Sequence, residues 1–278
     1  MTNVFTVDVE EWFHVCGVDA LSIGQWDRLP SRVQLTTRRL LDLLDGAGVH
    51  ATFFVVGWLA ERHPELVHEI AAAGHEVGSH GHRHRRVYEL TPAEFRADLL
   101  QSRNALCAAG AADVTMFRAP EWSIGEHSLW AFDVLGEEGF AIDASMAPLK
   151  LVGSTGYPRG PHRRQTTSSP VIEAPPLVCD RFGQVMPIGW GWGLRMSSPA
   201  RVCRAIEAVN EAGRPAVVMV HPWEIDPAPP RVRLPLRQHF AHYFRLDGFA
   251  GRLKSILHTA SFGPLSVIAS AELPLYPR

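Results

Sequence analysis

The chain has 278 residues, 46% of them hydrophobic and 20% charged, and a net charge of −2. That balance describes a globular chain able to bury a sizeable core and argues against extensive disorder. The near-neutral total gives no electrostatic case for nucleic acid or an anionic membrane surface, and no apolar run approaches the ~20 residues of a membrane span.

Val4–Val9 (VFTVDV) is short and β-branched, which predicts a strand. The residues around it carry no basic start, apolar core or cleavage site of a secretory leader, so the chain is expected to be cytoplasmic. Val33, Leu40, Leu41 and Leu44 then lie on one side of a helix that stops at Gly46 and Gly48. Ala51–Gly57 (ATFFVVG) is almost wholly apolar, as a strand covered on both faces would be. PELVHEIAAAG predicts a helix ending at Gly74, and HEVGSH a short strand. Thr91, Pro92 and Glu94 spell a helix start: cap, first-turn proline and capping-box acid. VTMFRAP and FAIDASM predict strands on either side of a helix over EHSLWAFDVLGEEG.

Residues 147–170 are rich in Gly, Ser and Pro and read as an irregular excursion. Two short apolar runs follow, VIEAPPLV and QVMPIGW, then GWGWG (189–193), which reads as a sugar-facing loop or a tight turn with buried tryptophans. SPARVCRAIEAVNEAG predicts a helix and Pro215–Val220 a strand. A Pro/Arg-rich linker (226–235), a helix near HFAHYFRLDGFAGRLKSIL and a last strand at PLSVIAS complete the chain. Cys16, Cys107, Cys179 and Cys203 form no CxxC pair, so neither thiolate zinc nor a disulfide framework is expected. About seven strand–helix alternations favour a closed parallel barrel over an open sheet, in a single domain spanning 1–278.

Asp8, Arg118, Asp143 and His221 all stand at the C-terminal ends of predicted strands, and His80 and His84 follow another. That rim is where the catalytic side chains of parallel barrels converge. His80 and His84, four residues apart, would project from one face of a helical turn and could share a metal ion, whereas His75 and His82 read as structural or solvent-facing. Asp8 and Glu10 share a strand face, so one carboxylate can bind metal while the other serves as base. His221 is either a packed histidine or a proton donor held by an acid, for which Asp143 is the candidate. Arg118 can orient a carboxylate and keep it ionised. Trp12, Phe13, Trp122 and Trp223 adjoin these residues and either stack on sugar rings or plug the barrel mouth.

In order, TVDVEEW, SHGHRH, FRAP, DAS and VHPWE resemble the five motifs of the polysaccharide deacetylase (NodB-homology) family of carbohydrate esterases, over about Val4 to Glu224. The tail QHFAHYFRLDGFAGRL is similar to the C-terminal extension of a subgroup associated with bacterial exopolysaccharide and exosortase loci, which makes 225–278 an extension packed on the domain. The resemblance implies an α/β fold, a distorted (β/α)7 barrel, and metal-assisted removal of acetyl groups, N-acetyl first, from a bacterial polysaccharide or its precursor. It implies Asp8 as general base, Arg118 holding it, His221 as general acid supported by Asp143, and Glu10, His80 and His84 as metal ligands. Zinc is the implied ion, with cobalt or nickel as alternatives. The backbone N–H of Glu121 would face the oxyanion, with Trp12, Trp122 and Trp223 against an acetylated glycan. Most relatives carry two adjacent aspartates; here a residue intervenes and the second acid is glutamate, long enough to ligate the metal or to occupy its place. Two further readings therefore remain: an allantoinase-like hydrolase of a small cyclic amide, working with or without metal, and an inactive glycan-binding relative.

Overall fold

Strand β1 (Asn3–Val9) is buried along its whole length because both of its faces are covered. Side chains alternate along a strand. Val4 joins an apolar cluster with Phe54, Ile142, Ile172, Val217 and Leu265 inside the curl of the sheet, while Phe5, Val7 and Val9 join the larger core beneath the helices. The computed structural model describes residues 1–150 and 152–276.

The chain continues through α1 (Val33–Asp45), β2 (Thr52–Val55), α2 (Gly57–Arg62), α3 (Pro64–Ala72) and β3 (Glu76–Ser79). Next come α4 (Pro92–Ala108), β4 (Met116–Phe117), α5 (Ala131–Glu137), β5 (Ile142–Asp143), β6 (His162–Arg164) and β7 (Val171–Glu173). A hairpin of β8 (Val178–Arg181) and β9 (Gln184–Pro187) leads to α6 (Gly191–Met196), α7 (Pro199–Glu211) and β10 (Val217–Val220). Then follow α8 (Leu236–Tyr243), α9 (Phe249–Thr259), β11 (Phe262–Gly263) and β12 (Leu275–Tyr276). The capping box at α4 forms as expected, with the Glu94 amide donating to the Thr91 hydroxyl and the Thr91 amide to the Glu94 carboxylate.

The sheet runs β10-β1-β2-β3-β4-β5-β7, all neighbours parallel, before turning antiparallel into β6. No strand ladder joins its two ends among the described residues. The irregular segments after β7 close it instead: the Leu177 amide donates to Val217 O at 2.9 Å and the Met219 amide to Gly189 O at 2.7 Å. This is a distorted (β/α)7 barrel, and its distortion is at that seam. Pro175 and Pro176 cause the break, because they cannot donate to a ladder; the run VIEAPPLV is split by them into β7 and β8.

Three local expectations are corrected. The excursion at 147–170 contains a strand, β6. The tail helix is two helices, broken where Arg245 and Gly248 take φ of 55° and 69°. PLSVIAS is not a strand but a 3-10 turn over Leu265–Ile268, whose two ends, three residues apart, enter the interior cluster. The tail is tied down by β11, which pairs with β1, and β12, which pairs with β6. No helix among the described residues is long and apolar enough to cross a membrane.

Candidate active site

Asp8 lies at the C-terminal end of β1, facing inward with Thr6. From β4, the fully buried Arg118 donates through Nη1 to Asp8 Oδ1 at 2.7 Å and to the Thr6 hydroxyl at 2.8 Å, and through Nε to Ala144 O at 2.9 Å. A buried guanidinium fixed at three points holds the Asp8 carboxylate in one orientation, as the sequence suggested.

Beyond the strand, DVEEW sends consecutive acids to different tasks. The Glu11 carboxylate accepts from the amides of Arg32 and Val33 and from the Ser31 hydroxyl, so it caps α1 rather than entering the site. Glu10 turns into the cleft and becomes its hub: its carboxylate oxygens lie 3.4 Å from His80 Nε2, 3.4 Å from His84 Nε2 and 3.3 Å from His221 Nε2. Burial would raise the Glu10 carboxyl, but His84 and His221 outweigh it and hold the group well below the usual range.

The two histidines do not sit on a helical turn. They follow β3 in a loop whose path is set by Gly81 at φ 70° and His84 at φ 49°, and by Asp98, which accepts from the amides of His82 and Arg83. His80 and His84 nevertheless converge. His80 Nδ1–H donates to Arg118 O at 2.8 Å, and His84 Nδ1 lies 3.6 Å from the Cys16 sulfur, whose S–H points to His84 O. With Nδ1 engaged on each ring, both Nε2 atoms are left buried and without a hydrogen-bond partner among the described residues. Glu10, His80 and His84 offer ligand atoms within 4.8 Å of one another, a two-imidazole, one-carboxylate set that fits a divalent cation and leaves a position open. His82 and His75 are structural: both are buried, His82 beside Glu61 and His75 accepting from the Ala51 amide.

His221, after β10, is held by a residue that the motif contains but the sequence reading passed over. Its Nδ1–H and its amide donate to Glu224 Oε2 at 3.2 and 3.0 Å, and the other Glu224 oxygen accepts from Arg195 Nε at 2.8 Å. Burial disfavours the imidazolium, but Glu10 and Glu224 on its two sides push the pKa up to about 10, so His221 carries a proton at neutral pH. Asp143 does not support His221. Its carboxylate accepts from the Ser145 hydroxyl and amide and lies beside Glu173, where burial raises both acids. In the sheet β5 is not a neighbour of β10, after which His221 stands, so this assignment is corrected to Glu224. Arg195 carries no signal that spacing could reveal.

Gly191 explains part of GWGWG. A Cβ there would lie 1.9 Å from Glu224 Oε2, so only glycine lets α6 approach the carboxylate. Gly191→Ala is expected to destabilise the fold by about 1–3 kcal/mol, read by denaturant unfolding, because buried and tightly held neighbours must move. The flanking Trp190 and Trp192 line a cleft of about 310 Å³ together with Trp122, Trp223, Glu10 and His221. Trp122 stacks on Trp190 with centroids 5.2 Å apart, and Trp223 is sandwiched between His221 and His242 at 5.1 and 4.2 Å. Trp12 is not in the cleft. It is 1% exposed in the core, its indole N–H donating to Pro30 O, and cannot touch substrate; Phe13 is buried beside it. Glu121 borders the cleft in a left-handed conformation, φ 52°, with its side chain bound outward to Arg86 and the Cys16 amide. His14, unremarked in the sequence, also lines the cleft, with a buried Nε2 lacking a partner among the described residues.

Residues 25–138 match the polysaccharide deacetylase family and residues 144–270 a domain of unknown function, DUF3473. A peptidoglycan-N-acetylglucosamine deacetylase of Bacillus cereus is 32% identical over 119 residues, 38% of this chain and 43% of that protein. A chitooligosaccharide deacetylase of Bradyrhizobium sp. is 35% identical over 100 residues, 36% of this chain and 43% of that protein. The chain thus spans less than half the length of these curated relatives. Among solved structures, one from Mycobacterium smegmatis assigned as a polysaccharide deacetylase superposes with a TM-score of 0.63 at 22% identity, covering 96% of this chain and 87% of that one. A family 4 carbohydrate esterase pseudoenzyme from Bacillus anthracis gives 0.51 at 14% identity, covering 100% and 69%. The shared fold therefore does not decide activity; the side chains at the rim must.

Proposed function

Because residues 25–138 match the polysaccharide deacetylase family, we propose that the chain hydrolyses acetyl groups, N-acetyl first, from a bacterial exopolysaccharide or its precursor. The observation that carries this reading is the gathering of Glu10, His80 and His84 in one cleft with Asp8 and His221 beside them. Zinc suits two imidazoles and a carboxylate, and when bound it would polarise the acetyl carbonyl and make water acidic enough to attack at neutral pH. Asp8, oriented by Arg118, takes the proton of the attacking water. Glu121 borders the cleft, and its backbone amide is the donor we assign to the oxygen on which charge develops. His221, protonated and held through Nδ1 by Glu224, gives its Nε2 proton to the departing amine. Trp190 and Trp192, half-buried in the cleft wall, offer apolar surface on which a sugar ring can stack, whereas the ring faces of Trp122 and Trp223 are covered by Trp190 and Arg118 and by His221 and His242.

Acetate release from N-acetylated oligosaccharides by zinc-loaded protein tests the reading. Asp8→Asn is expected to lower the rate by about 10²–10⁴-fold while zinc content stays unchanged. Full activity in that variant would remove Asp8 as base. Opening of cyclic ureides in place of acetate release would move the protein to the small-amide hydrolases.

A further inference from the structure

We infer that α8 and the linker before it form a docking surface for an anionic phospholipid bilayer, which brings the cleft to the membrane. The whole-chain charge conceals this surface. Residues 227–259 hold six basic residues and one acid, leaving 21 basic against 28 acidic residues in the rest of the chain.

Spaced by four along α8 and just past its end, Leu236, Phe240 and Phe244 fall on one helical face and remain 89%, 43% and 36% exposed. The two phenylalanine rings stack on each other at 4.3 Å instead of entering the core. Arg231, Arg233, Arg237 and Arg245 flank them along the chain, all exposed, and none forms an ion pair among the described residues. The linker is held against the helix, since the Val232 amide donates to the Tyr243 hydroxyl and Arg231 lies over the Tyr243 ring. The opposite side of α8 contributes Gln238, Ala241 and His242 to the cleft. One helix thus presents apolar and cationic groups outward and the site inward.

Exposed aromatic and aliphatic side chains among four arginines, in a stretch (227–259) that holds one acid, match the boundary between acyl chains and anionic headgroups. A second copy of the chain would set arginine against arginine, an arrangement that like charges oppose. A nucleic acid would use the arginines and leave Leu236 without a role.

Sedimentation of the whole chain with vesicles tests this. It is expected to bind vesicles of mixed phosphatidylglycerol and phosphatidylcholine, not phosphatidylcholine alone, and to lose about tenfold or more in binding when salt is raised to ~0.5 M. The pairs Arg233→Gln with Arg237→Gln and Leu236→Ser with Phe240→Ser are each expected to weaken binding about tenfold, with acetate release from a soluble oligosaccharide unchanged. No binding to the anionic vesicles, or equal binding to both kinds, would overturn the inference. So would full binding by the Leu236/Phe240 pair, which would leave a general polyanion surface, or self-association lost in the variants without any vesicle binding. The lipid and salt arms use the unaltered chain, so they decide the matter even if a variant fails to fold.

Discussion

Replacing His84 with alanine is expected to strip the purified protein of its divalent metal and to slow acetate release by about a thousandfold, equivalent to ~4 kcal/mol of transition-state stabilisation. The size follows from the geometry around Glu10. His80 and His84 have already committed Nδ1 to Arg118 O and to Cys16, so each presents a bare Nε2 toward a Glu10 carboxylate oxygen 3.4 Å away. One divalent cation meets both Nε2 atoms and the carboxylate at once. Removing one ligand of three leaves a site too poor to retain the ion. Elemental analysis of protein purified without chelator, beside the rate, checks this. If Glu10 instead fills the metal's place, chelator will leave the rate of the unaltered protein intact and His84→Ala will not change its metal content, and the assignment of His84 falls.

Much of this site was legible because strand ends are. Asp8, Arg118 and His221 stand where β1, β4 and β10 stop, and the alternation of side chains alone puts Thr6 and Asp8 on the same inner face. The pairing of His80 with His84 was right in result and wrong in cause: their convergence depends on left-handed backbone at Gly81 and His84 and on Asp98 binding two loop amides, none of which spacing encodes. Trp12 and Asp143 failed for a shared reason. Adjacency to a catalytic residue in sequence says nothing about which way a side chain turns once the strand has ended, and Trp12 turns into the core. The seam of the barrel was hidden because its closing hydrogen bonds come from Leu177 and Gly189, which flank the hairpin strands β8 and β9 instead of lying in a ladder. A total charge of −2 likewise averaged away the arginines around α8.

Glu224→Gln is expected to lower kcat by about 10²–10⁴-fold, the range for losing an effective general acid, with metal content and KM little changed. Glutamine is nearly the same shape, but it gives the His221 Nδ1–H a neutral acceptor and removes one of the two charges that keep the imidazole protonated. Arg195 is the positioning residue behind it. Its guanidinium binds Glu224 through Nε and the carbonyls of Ala241, His242 and Phe244 at the end of α8 through its other nitrogens, while His242 stacks on the tryptophan that stacks on His221. The segment around α8 thus reaches the proton donor by two routes, one ionic and one aromatic. Arg195→Ala should cost about 3–5 kcal/mol in unfolding, since it strands a buried carboxylate and three carbonyls, whereas Glu224→Gln should leave Arg195 its carbonyl partners and cost less. A Glu224→Gln protein with undiminished kcat, or one whose loss appears wholly as a fall in metal content, would show that His221 does not depend on this carboxylate for its proton.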